Sequence, residues 1–362
     1  MYNIIDIWNT IDSQSTALLI SDTELLTKLI EKTKVDINQV CIIRSLDYEQ
    51  IKKEILTNNI KQVISEKQFI QMLNILQWEC SSFDTYYILN CNNPLLVDDE
   101  NKNYLMNKKL WEYTVNNAKD QYTSGGWVNS YNRQPFSKTE MDEFSDNVYQ
   151  KLKPYLNKHT KVLEIGCSSG LTMFKLLSHV GDYHAIDLSL AVLKKDKNIA
   201  TELGYENVCF YNLPADQIDK INENKFDVVI MNSVIQCFHG YNYFRKILKM
   251  CIEKMNTKGI IFLGDVMDLE LKNDLEQSLQ EYKNKHPKAD TKLIAKGELF
   301  YSRAFFEDCM GEFTSIEKIL FSNKIGSIEN ELTKYRYDVI IYKSDLNTNH
   351  YIKQKHQIGV CL

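Results

Sequence analysis

No apolar run in these 362 residues approaches the length that a membrane-spanning helix requires, about 18 residues or more. The amino terminus also lacks the basic stretch followed by an apolar one that marks a secretory signal. The default location is therefore the cytoplasm, with no membrane partner. There is no C-x-x-C pair, and the nine cysteines are an odd number. Cys41, Cys209 and Cys251 fall in apolar segments, so the cysteines read as reduced core residues rather than disulfides or zinc ligands, and no metal is expected. The phosphate-cradling pattern G-x-x-x-x-G-K-[ST] is absent. A strong basic excess is absent too: the formal net charge is -5, which argues against a general nucleic-acid binder. What is present is a chain with 44% hydrophobic residues, long enough for one large domain and a small one.

Residues 1–100 carry four short apolar runs, Thr16–Ser21, Val40–Ser45, Ile60–Ser65 and Thr85–Asn90. They alternate with helical spacing over Glu24–Thr33, Tyr48–Thr57 and Lys67–Glu79. This rhythm predicts a small α/β domain with a mostly parallel sheet, of scaffold or docking type. Pro94–Asn103 is the expected linker. A helix is predicted over Asn107–Asp120, followed by a loop with two glycines and two aromatics, Thr123–Tyr131. Ser137 and Glu140 form a capping-box pattern that opens a helix over Lys138–Lys151. Residues 101–150 thus read as linker and helical lid, 151–345 as the core, and 346–362 as a tail.

The core is organised around Lys161-Val-Leu-Glu-Ile-Gly-Cys-Ser-Ser-Gly170, an apolar strand followed by a glycine-containing loop and a helix start. Such a turn presents backbone N–H groups and a positive helix end to a ligand. The spacing Gly166-x-x-x-Gly170, with Ser168 in the middle place, lacks the second glycine of a pyrophosphate cradle and disfavours a dinucleotide oxidoreductase. The next strand, Tyr183–Ser189, ends in Asp187, about 20 residues beyond the loop, where a carboxylate can accept from ribose hydroxyls. Glu164 at the end of a buried strand is a costly charge unless something answers it. A ribose, no pyrophosphate and an amino-acid end point to S-adenosylmethionine.

At this point the sequence resembles the class I S-adenosylmethionine-dependent methyltransferases, and more narrowly the methyltransferase domains of nonribosomal peptide and polyketide synthetases. The residues that carry the likeness are Val162–Gly170, Asp187–Ser189, Asp227–Phe238, Gly264–Val266, Glu298–Phe300 and Asn330–Asp338, within roughly Trp111 to Lys343. Ser168 departs from the glycine usual in the family. Here the domain reads as free-standing. The strands and helices expected between 161 and 343 specify a doubly wound sheet. The resemblance implies a Rossmann-like α/β fold of seven strands in the order 3-2-1-4-5-7-6, with the last strand antiparallel.

The resemblance also implies the site. Tyr131, Glu164, Gly166, Cys167, Ser168, Gly170, Asp187, Leu188, Ala215, Asp216, Asn232, Ser233 and Gln236 are the expected cofactor contacts, with S-adenosylhomocysteine as product. Asp216 has the alternative of a helix cap. Trp127, Tyr131 and Met141 are lid candidates. His239, beyond strand four, is the candidate general base, against the alternative of a structural histidine. Glu298, Glu331 and Arg336 are expected to line the acceptor pocket, or to form a surface ion pair of little worth. The charged segment Leu269–Lys296, with Leu271, Leu275 and Leu279 on one stripe, reads as a cap over that pocket. The implied acceptor is an O, N or C atom of an amino-acid-derived, peptidyl or carrier-tethered molecule of natural-product biosynthesis, so a carrier protein is a partner to consider. Alternatives are a peptide carboxyl methyltransferase that needs no base, and a non-catalytic module that only binds S-adenosylmethionine.

Overall fold

The computed structural model describes residues 16–19, 41–42, 60, 62–66, 79–83, 86–90, 104–293, 298–313 and 315–344. They divide into two compact units, one from residues 1–100 with 304–313 and one from 101–303 with 314–362. In the first unit the strands are β1 (Thr16–Leu19), β2 (Cys41–Ile42), β3 (Gln62–Glu66), β4 (Glu79–Phe83) and β5 (Tyr86–Asn90), in the order β2-β1-β3-β5-β4. β1 runs parallel to β2 and β3, but β5 is antiparallel to both β3 and β4. The expected mostly parallel sheet is therefore corrected: half of its pairings are antiparallel. The segment Glu-Cys-Ser-Ser-Phe of β4 is too polar to read as a strand by itself, and only two residues separate it from β5, which enforces a hairpin. The predicted helices of this unit lie outside the described residues.

The second unit opens with helices α1 (Lys108–Asn116), α2 (Gln121–Ser124) and α3 (Lys138–Leu152). The single helix expected to Asp120 breaks at Asn117, and Asp120 caps a new turn through Thr123. The Ser137–Glu140 capping box forms as expected: the Ser137 amide donates to Glu140 Oε2 at 2.8 Å.

The sheet of this unit is built from β6 (Lys161–Ile165), β7 (Asp182–Asp187), β8 (Val208–Asn212), β9 (Phe226–Asn232), β10 (Met255–Met267), β11 (Ile316–Asn323) and β12 (Arg336–Lys343). The helices between them are α4 (Leu171–Leu176), α5 (Leu190–Glu202), α6 (Tyr241–Lys254), α7 (Lys272–Lys285) and α9 (Glu331–Lys334), while α8 (Arg303–Glu312) belongs from residue 304 onward to the first unit. Strand order is β11-β12-β10-β9-β6-β7-β8. Counted from β6, this is the expected 3-2-1-4-5-7-6, and β12 is antiparallel to both neighbours. The central strands bury nearly every residue, as a sheet covered on both faces must. One difference follows Pro214: the expected helix 215–222 is a 3-10 run, Ala215–Lys220, kinked at Gln217.

Within Leu269–Lys296 a helix forms and packs through the predicted stripe. Leu275 and Leu279 of α7 pack with Met267, Phe300 and Tyr335, and Leu271 and Tyr131 join the same cluster. No described helix is long and apolar enough to cross a membrane.

Candidate functional site

β6 is parallel to both β7 and β9, but the chain builds outward from β6 through β7 to β8 and then returns to add β9 on its other side, and a crevice opens outside the carboxyl ends of these strands. It encloses about 720 Å³ of space, including space open to solvent. Gly166, Ser168, Asp187, Leu188 and Ala215 line it, five of the residues expected from sequence. The opposite wall was not foreseen from sequence: Met106, Trp111 and Val115 from α1 and its approach, and Val234, Cys237 and Phe238 beyond β9. Trp111 and Val115 stand one helical turn apart, a spacing that signals a shared face but not what that face covers.

Backbone geometry shapes the loop. Gly166 has φ of +75°, and a Cβ there would lie 2.5 Å from Val234 Cγ2. Ser168 adopts φ of 49°, a left-handed conformation in which glycine is the unstrained residue. The Ser168 amide donates to Asp187 Oδ2 at 3.0 Å, and the Ser189 amide to Asp187 Oδ1 at 2.8 Å. Asp187 is thereby fixed on the wall of the crevice, with unused lone pairs on both oxygens.

Beneath the loop lies a group of buried acids. Glu164 accepts from the Tyr183 hydroxyl at 2.8 Å, and burial pushes its carboxyl up to about 8. It does not line the crevice. Asp196 of α5, not singled out in the sequence, is 1% exposed, and its Oδ2 has no hydrogen-bond partner. Burial, with repulsion from Asp187 and Glu164, raises it to about 9. Cys167 packs into the core with Met173 and Tyr183, and burial raises its thiol. Gly170 caps α4 at φ of +72° and closes the loop by donating to the Cys167 carbonyl.

Beyond β9, Asn232 donates to Thr172 Oγ1 at 3.0 Å, while its own Oδ1 is buried without a hydrogen-bond partner. Ser233, at φ of 59°, accepts from Gln236 Nε2 at 2.9 Å and from Trp127 Nε1 at 3.4 Å. These three expected contacts brace the turn that carries Val234 and Cys237. Asp216 pairs with Lys246 at 3.5 Å, neither capping a helix nor lining the crevice. Tyr131 packs on α7 and bonds Ser278 at 2.9 Å, away from the crevice lining. Met141 is fully buried with Phe136 and Phe144.

The four acceptor-side candidates separate. His239 stands edge-on to Tyr243, with ring centroids 5.1 Å apart, and is not a lining residue. Glu298, Glu331 and Arg336 come together with Lys292 and Asp265. Arg336 pairs with Asp265, Lys292 pairs with Glu298, and Glu331 accepts from the Ser130 amide at 3.0 Å and hydroxyl at 2.9 Å. Burial raises the Glu331 carboxyl, which Arg336 opposes. Burial likewise pushes the thiol of Cys237, on the crevice wall, to about 12, and it feels Glu298, Arg336, Lys292 and Asp265. The Leu299 amide donates to the Gln236 carbonyl at 2.8 Å, which sets Glu298 of the polar group beside the turn that carries Cys237.

These residues fit S-adenosylmethionine. Asp187 offers two carboxylate oxygens for a ribose. The left-handed turns at Gly166 and Ser168 bring the backbone to the crevice. When bound, the cofactor supplies an electrophilic methyl group on sulfur. The chain orients it, keeps water out with the wall of Met106, Trp111 and Phe238, and presents a polar group on the Cys237 side.

Comparison with known proteins agrees. Residues 156–307 match a family described as methyltransferase domain. CymA of Salinispora arenicola, described as a probable nonribosomal peptide synthetase, is 29% identical over 221 residues, 60% of this chain and 3% of that one. Chondramide synthase of Chondromyces crocatus is 28% identical over 227 residues, 60% of this chain and 6% of that one. The chain thus spans only a small part of the curated relatives it matches. Among solved structures, N-methyltransferase NodS from Bradyrhizobium japonicum in complex with S-adenosylhomocysteine is 12% identical, with 63% of this chain and all of that one covered and a TM-score of 0.42. By sheet order, crevice and sequence match, this chain carries an S-adenosylmethionine-dependent methyltransferase domain, and over about 60% of its length it is similar to nonribosomal peptide synthetases.

Proposed function

We propose that this enzyme methylates an O, N or C atom of an amino-acid-derived, peptidyl or carrier-tethered acceptor in a nonribosomal peptide or polyketide type of pathway. The observation that carries the reading is the polar group of Glu298, Glu331, Arg336 and Lys292, joined to the Cys237 end of the crevice where the Leu299 amide, next to Glu298, donates to the Gln236 carbonyl at 2.8 Å. An acceptor rich in hydrogen-bonding groups suits that wall; a purely apolar one would leave buried charges unanswered. The similarity to nonribosomal peptide synthetases supports the same class of acceptor. We read the chain as a small unit at 1–100, a lid at 101–150 and a core at 151–345; the grouping of 304–313 with the first unit departs from that division.

The test is mass spectrometry of aminoacyl groups tethered to a carrier protein, incubated with enzyme and S-adenosylmethionine. A mass gain of one methylene on the tethered group is expected. No transfer to tethered or free aminoacyl and peptidyl acceptors would overturn the reading. A second reading, carboxyl methylation of a peptide, is favoured by one observation: His239 lies off the crevice lining. A carboxylate acceptor is already nucleophilic and requires no base.

A further inference from the structure

Five charged side chains are buried together behind the acceptor-side group, where a surface would have been cheaper. Asp338 and Asp265 are fully buried, Lys324 is 2% exposed and Lys151 is 7% exposed; Arg336 completes the set. Between Leu263 and Val266 the pairing of β10 with β12 slips, so that Gly264 and Asp265 together oppose Asp338. At this bulge Asp265 takes φ of 60°, which a non-glycine residue keeps only when its surroundings enforce it. The enforcement is visible. The Asp265 amide donates to Asp338 Oδ1 at 2.8 Å, and Lys324 Nζ lies 3.0 Å from the same oxygen and 3.8 Å from Asp265 Oδ1. Asp338 Oδ2 is in turn held by Lys151 and, at 2.8 Å, by Asn147 of α3. Asn147 also accepts from the Ile325 amide at 2.8 Å, which fixes the turn that carries Lys324. The free side of Asp265 is spent on Arg336.

We propose that Lys324 and Asp338 are positioning residues for methyl transfer. They lock Asp265 in the bulge, and Asp265 aims Arg336 at Glu331 and Glu298. The inference rests on the reading of that group as the acceptor wall. Burying such a network confers little net stability, and replacing it with apolar residues is often neutral or better. Its place is explained by geometry: the Asp265–Arg336 pair joins the rear network to the acceptor side.

The experiment compares Lys324→Met with Lys324→Arg in the full chain. In Lys324→Met, calorimetric affinity for S-adenosylmethionine stays at the wild-type value. Its kcat falls by roughly tenfold to a hundredfold, the cost of a small misplacement, with a lesser change in KM. The acidic limb of the pH–rate profile also moves. Glu331 is faced by Arg336, Lys292 and Ser130; once Arg336 moves away its carboxyl titrates higher, so the limb shifts to higher pH. Lys324→Arg restores most of the rate. A crystal structure of Lys324→Met shows Arg336 off Asp265. Wild-type kcat and an unmoved limb, with Arg336 still on Asp265, would overturn the proposal. If Lys324→Met does not fold, Asp338→Asn, which keeps an acceptor for the Asp265 amide, carries the same expectations. If the wild type methylates no acceptor, the acceptor reading alone fails, and the position of Arg336 in the variant still decides this one.

Discussion

Asp187 and Ser168 stand 19 positions apart in sequence and are joined by a 3.0 Å hydrogen bond from the serine amide to the aspartate. The bond ties the glycine loop to the end of the neighbouring strand, so the shape of the loop and the aim of the carboxylate are set together.

Replacing Asp187 with alanine removes that bond, the one from Ser189 and the acceptors offered to a ribose. Charge-assisted hydrogen bonds are worth about 1.5–3 kcal/mol each, so affinity for S-adenosylmethionine should fall roughly a hundredfold or more. Isothermal titration checks it; an affinity near wild type would show that the sugar is held elsewhere.

Gly166→Ala meets two obstacles, the positive φ and the contact 2.5 Å from Val234 Cγ2. The left-handed conformation alone costs about 1–2 kcal/mol. We expect a lower melting temperature and weak cofactor binding, with Val234→Ala in the same chain recovering part of both. Ser168→Gly, by contrast, relieves a strained φ and should leave cofactor affinity unchanged.

The acidity of Glu164 gives a signature in the ligand-free protein. Its carboxyl is raised by burial from an ordinary 4.5 to about 8. A carboxyl raised on folding stabilises the fold fully below its unfolded value and loses that contribution as pH rises through the folded one. Melting temperature should therefore decline from about pH 4.5 to about pH 8, and Glu164→Gln should flatten this decline. Differential scanning calorimetry across that range decides it; an equal slope in the variant would assign the decline to other groups.

His239→Ala separates the two readings of the reaction. If a carboxylate is the acceptor, kcat is nearly unaffected. If a proton must be removed and His239 acts through a rearrangement of the Phe238–Tyr243 edge, the rate falls by roughly 10²–10⁴. Single-turnover kinetics with a tethered aminoacyl acceptor and with a peptide acid distinguish them.

The central sheet was legible because its strands are branched apolar runs ended by glycine, asparagine or aspartate, and the loop because its glycines sit where a left-handed turn is required. β4 was not, since its polar residues take a strand conformation only beside β5. At the site, local patterns located Gly166, Ser168 and Asp187, which work through the backbone next to them. They did not locate Asp196, Lys292 or the bulge at Asp265, whose surroundings are assembled from distant elements. Tyr131 and Asp216 stand near crevice residues in sequence, but one packs on α7 and the other pairs with Lys246. Position along the chain says little about the direction of a side chain on an irregular segment.

The direction of β12 has a further consequence. Because it runs against its neighbours, Arg336 at its beginning pairs with Met267 at the end of β10. The start of this strand, not its finish, thus lies at the carboxyl end of β10. Insertions or swaps just upstream of residue 336 would reach the side of the sheet on which the proposed acceptor wall lies, whereas changes past residue 343 would touch only the opposite end.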